Sequence, residues 1–77
     1  MNKGLEFWLF VRDSDKEQGS SLLGDDERLA MEVVKHVLDQ FVCEGYIVFR
    51  GFTVPNVWMA QRGDHYAVLQ LITMSVN

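Results

Sequence analysis

Four side chains with metal-binding chemistry recur at helical spacing in this chain. Glu32, His36, Asp39 and Cys43 are separated by four, three and four residues and so share one face of a helix. Carboxylate, imidazole and thiolate ligands one turn apart suit zinc when they converge. Four ligands on one straight helix cannot surround an ion, however, and no second histidine lies nearby. Lys35 and Gln40 beside the row are typical of a solvated face. The row is therefore read as solvent-facing, with no metal and no cofactor expected. A metal-dependent enzyme would have to be built on it.

Other chemistry is equally thin. Asp13-Ser14-Asp15-Lys16-Glu17 has the alternating oxygens of a calcium loop, but Gln18 stands where that loop needs glycine and Gly24 where it needs glutamate. His65 beside Tyr66 has no acid or nucleophile implied near it and reads as structural. Arg62-Gly63-Asp64 reads as a hairpin turn rather than an adhesion tripeptide. Phosphate-cradling glycine loops, nucleophile elbows and paired cysteines are absent. No catalytic residue is assigned, and the chain is expected not to be an enzyme.

Charge is the most informative polar signal. Between positions 13 and 27 lie Asp13, Asp15, Glu17, Asp25, Asp26 and Glu27 against Lys16 alone, which leaves −5 in that window. The rest of the chain, with five acids and six bases, comes to +1, so the net −4 resides in this segment. A solvated loop leading into a dipole-matched helix start has this composition. So does a segment that docks on a basic protein surface and steers the encounter. Direct nucleic-acid binding is not expected, because the chain is acidic and has no Lys/Arg cluster.

These residues are carried by 77 residues, enough for one domain. A chain of this size buries only about 60% of its unfolded surface, and its core supplies roughly 3–5 kcal/mol net. Small domains close that gap with disulfides, metals or oligomerisation. Cys43 is the sole cysteine, which excludes an intrachain bridge and suits a reducing compartment. Oligomerisation remains. With 48% apolar and 12% aromatic residues, the chain is too rich in core formers to be disordered. Glu6 and Arg12-Asp13 break up the N-terminal apolar stretch, so it reads as a strand and not a signal peptide. No apolar run approaches the ~20 residues of a membrane span. A cytoplasmic protein without membrane contact is expected.

The elements read as α+β in the order β-α-β-β-β, a four-stranded sheet with one helix on one face, spanning residues 1–77. Strands are predicted at 5–12, 46–54 (with a bulge at Gly51), 57–61 and 65–76, the last three as a meander. The first two strands, if parallel, would be joined by a right-handed crossover through the helix. Residues 13–24 read as a loop whose Leu22-Leu23 pair tucks back onto the core. The helix runs to Glu44, with Asp25 as N-cap and Gly45 at the left-handed C-terminal position.

The strands are apolar on both faces. Leu5, Phe7, Leu9 and Val11 alternate with Trp8 and Phe10, and Tyr66, Val68, Ile72, Met74 and Val76 alternate with Ala67, Leu69 and Leu71. A sheet with one wet face alternates apolar with polar. A single helix can cover one face only. Its own apolar positions span an arc of about 220°, against a stripe of about 100° for a helix that merely lies on a sheet. The surplus is open to Leu22-Leu23 or to a partner.

Association is the expected theme: a small acidic protein that binds and inhibits another protein, itself a homodimer. Its acidic segment is the expected partner-binding site, and the target's basic surface is one that nucleic acid would otherwise occupy. This combination of traits is common among small inhibitors encoded by phages and mobile elements. Trp8, Phe10, Trp58 and Tyr66 are the outward aromatics expected at the oligomer contact. The alternative is a module for a small apolar or aromatic ligand lined by Trp8, Trp58 and Tyr66.

Overall fold

The computed structural model describes residues 4–14, 18–51 and 53–76. Two long strands rich in aromatic and β-branched residues organise the sheet. β1 (Gly4–Asp13) and β5 (His65–Val76) pair antiparallel from Gly4 opposite Val76 to Asp13 opposite Ala67. A tight turn with Gly63 at φ 59° joins β5 to β4 (Val57–Arg62), and β3 (Ile47–Arg50) pairs outside β4. These three strands form the predicted meander.

The other flank departs from the prediction. The segment read as a loop contains β2 (Gly19–Gly24), which pairs antiparallel with Phe7–Val11 of β1. The sheet therefore has five strands, not four, in the order β2-β1-β5-β4-β3, and the chain runs β-β-α-β-β-β. Glycine and serine have low strand propensity, which hid β2, but an edge strand needs only the backbone pairing that β1 offers. Leu22 and Leu23 do not tuck back as a pair. They lie in β2 where the register shifts opposite Phe7 and Trp8, which sends Leu23 toward the core and leaves Leu22 exposed. The strand predicted at 46–54 ends at Arg50. Gly51 then enters a turn, where its amide donates to the Val57 carbonyl at 2.8 Å. Every neighbouring pair is antiparallel, so β1 and β3 run in opposite directions and no parallel crossover joins them. The helix instead carries the chain from one edge of the sheet to the other.

That helix, α1 (Glu27–Cys43), is capped by Asp26, one residue beyond the predicted Asp25. Asp26 has extended backbone, and its carboxylate accepts from the amides of Arg28 (2.9 Å) and Leu29 (3.4 Å), satisfying orphan donors of the first turn. At the other end Gly45 takes φ 92°. Its amide donates to the Val42 carbonyl (3.0 Å) and the Tyr46 amide to the Phe41 carbonyl (2.9 Å), the paired bonds of a Schellman stop. No helix among the described residues is long and apolar enough to cross a membrane.

The core lies between α1 and one sheet face. Ala30 and Val34 meet Ala60, Ala67 and Leu69, all fully or nearly fully buried, with Phe7, Leu9, Leu71 and Trp58 around them. Ala30, Ala60 and Ala67 are wholly buried there, at the centre of the core. No polar or charged side chain among the described residues is buried.

Candidate binding surfaces

Strand register defines the face that α1 does not touch. Because paired residues point the same way, four rows cross the sheet on its outer side: Leu22–Trp8–Ile72, Ser20–Phe10–Gln70–Val57, Arg12–Val68–Met59–Phe49, and Tyr66–Gln61–Ile47. Met74 extends the central strand beyond them. Trp8, Phe10, Val57, Val68 and Ile72 are half-buried by one another. Toward the margins exposure rises to 46% at Met59, 47% at Phe49 and 64% at Ile47. Among the described residues nothing packs on this face. Glu6 and Arg12 are its charged side chains, and the Glu6 carboxylate accepts from the Trp8 indole N–H at 3.4 Å.

Of the four aromatics expected at an oligomer contact, Trp8, Phe10 and Tyr66 stand on this outer face. Trp58 does not: it pairs with Leu69 on the inner face and is 8% exposed, beneath the helix. A ligand site lined by Trp8, Trp58 and Tyr66 together is excluded by the same geometry, since the sheet separates Trp58 from the other two. Val68 and Ile72, read from sequence on the same strand face as Tyr66, belong to the outer face with Met59, Phe49 and Leu22, which were not assigned to it. The alanines were the available signal. A close helix needs small residues beneath it, so Ala60 and Ala67 mark the inner face and their alternates the outer one.

The acidic residues are drawn apart by β2. Asp13 ends β1 and is half-buried, whereas Asp25, Asp26 and Glu27 are exposed at the start of α1. Gly24, next to them, pairs with Phe7, so the two groups lie at opposite ends of the sheet edge, about 20 Å of strand apart. Asp15 and Glu17 lie outside the described residues. In place of one continuous acidic patch, the described acids flank an uncharged edge strand.

Two concavities adjoin the helix. Beside its C-terminal half a cavity of about 510 Å³ opens over Gly19 and Ser21, whose small side chains leave it unfilled. Val37, Phe41 and Tyr46 line it with Asp13, Glu44 and Arg62. Its charged end is tied up locally: Arg62 donates to the Glu44 carbonyl and its guanidinium lies 4.7 Å from the Tyr46 ring centre, with Phe41 edge-on to that ring at 5.0 Å. Beside the N-terminal half, an apolar groove of about 400 Å³ runs between Met31, Leu38 and Trp58. On the opposite helix flank Leu29 and Val33 are exposed (54% and 39%), so the wide apolar arc is not filled by Leu22-Leu23.

Glu32, His36, Asp39 and Cys43 are all exposed on the helix, where His36 Nε2 lies 3.4 Å from Gln40 Nε2. No group of three or more His, Cys, Asp or Glu among the described residues is disposed to hold a metal ion. No family model, curated protein sequence or solved structure matches this chain.

Proposed function

We propose that this chain is a small cytoplasmic, non-enzymatic protein that acts by binding another protein and blocking it. The observation that carries association is the outer sheet face, a largely apolar surface reaching all five strands with no cover among the described residues. Soluble monomers rarely expose contiguous apolar patches above a few hundred Å², and larger ones mark interaction sites. The acids at the two ends of β2 add direction. They bracket an open strand edge and favour a target with a basic surface, such as one used to hold nucleic acid, which a phage or mobile-element inhibitor would occupy.

Charge reversal tests this part of the reading. Asp25→Lys/Glu27→Lys spares the Asp26 cap, and Asp15→Lys/Glu17→Lys reverses two further acids of the segment read from sequence. Both variants should slow association with a basic protein captured from lysate. The deficit should shrink as salt rises, because exposed charges are screened over about 8 Å at physiological ionic strength. Unchanged binding at every salt concentration removes the acids from the contact surface.

The groove between Met31, Leu38 and Trp58 supports a second reading, a module for a small apolar ligand. Native mass spectrometry separates the two, since a ligand adds a few hundred daltons and a protein adds thousands.

A further inference from the structure

The outer face carries its own indication of what sits on it. Among the described residues its charged side chains, Glu6 and Arg12, have opposite signs and stand at opposite ends of the same strand, about 20 Å apart. Their charges cancel, whereas the chain as a whole carries −4. A basic target has no electrostatic reason to choose it. A surface with one charge of each sign, placed symmetrically about a centre, is complementary to itself.

We propose that a second copy of the chain covers the β2-β1-β5 part of the outer face, the two sheets stacking there as a sandwich with a helix on each outside. This rests on the association reading above and names the occupant of the sheet face. A two-fold axis between the sheets, crossing β1 at Leu9, sets the two β1 strands antiparallel across the interface. Glu6 of each copy then meets the partner's Arg12, and the Ile72–Met74 end of β5 lies over the partner's Gln70 and Val68. The overhang of β5 gains a purpose. Beyond Phe7 and Thr73, where β2 and β4 have both ended, β5 pairs with β1 alone, and a bare two-stranded ribbon is marginal in water.

A charge exchange tests the arrangement. Sedimentation of the full chain at micromolar concentration should give twice 8.9 kDa. Arg12→Glu and Glu6→Arg, each placing like charges together twice, should weaken the dimer about tenfold or more at low salt. The double exchange Glu6→Arg/Arg12→Glu should recover most of that loss, with circular dichroism confirming that all variants fold. A monomeric wild type, or a double exchange as weak as the singles, overturns the proposal. A monomer that still binds a basic protein through this face would overturn the second copy while leaving the association reading intact. A rescued dimer that binds no such protein would do the reverse.

Discussion

The two faces of one sheet are made from the same strands with similar apolar content, yet only one becomes a core. Leu69 and Val68 are neighbours on β5. The first is fully buried beneath Val34 and the alanines, and the second is half-buried among Phe49, Met59 and Arg12 in the open. Hydrophobicity in a strand specifies a need for cover, and what meets the need is whatever lies within reach. On the inner face that is α1, admitted by Ala30, Ala60 and Ala67. On the outer face, among the described residues, nothing of this chain meets it.

Truncating one residue on each face separates their roles. Leu69→Ala should cost about 2–5 kcal/mol, because it removes packed atoms from a site that collapses only partly. Its melting temperature should fall at every protein concentration. Val68→Asp should leave the fold's circular dichroism intact and weaken association strongly, since it sets a carboxylate into the apolar face and draws the facing Arg12 into a cross-strand pair. Should Val68→Asp unfold the chain while Leu69→Ala is mild, the two faces are wrongly assigned.

A smaller effect is expected at the helix that provides the inner cover. Asp26→Ala should cost about 1 kcal/mol by stripping the cap from the amides of Arg28 and Leu29. Chemical denaturation would register that loss, and association through the outer face should persist. The smallest effect is expected at Cys43, which is exposed on the helix and belongs to neither face. Cys43→Ser should change neither stability nor binding, and a loss of either in that variant would point to thiol chemistry.

Much of this was legible in the sequence because periodicity reports on burial. The bounds of β5, the turn at Gly63, the stop at Gly45 and the apolar character of both sheet faces all follow from residue pattern and turn chemistry. β2 was not legible. Gly19-Ser20-Ser21 has nothing to distinguish it from a loop, and its pairing is a property of β1's open edge. The face of Trp58 was hidden for a different reason. A strand apolar on both sides leaves open which face meets the helix. The acidic segment reads as one unit along the chain, but β2 separates its two ends in space.

The two tryptophans sit on opposite faces and offer the most direct measurement. In a Trp58→Phe variant, fluorescence reports Trp8 alone, the residue at the centre of the Leu22–Trp8–Ile72 row. At micromolar concentration Trp8 should emit in the blue and resist quenching by acrylamide. On dilution its emission should move to the red and quenching should rise, as the outer face becomes exposed. Trp8 emission that is red-shifted and freely quenched at every concentration, in a folded chain, would contradict the claim that this face is a contact surface.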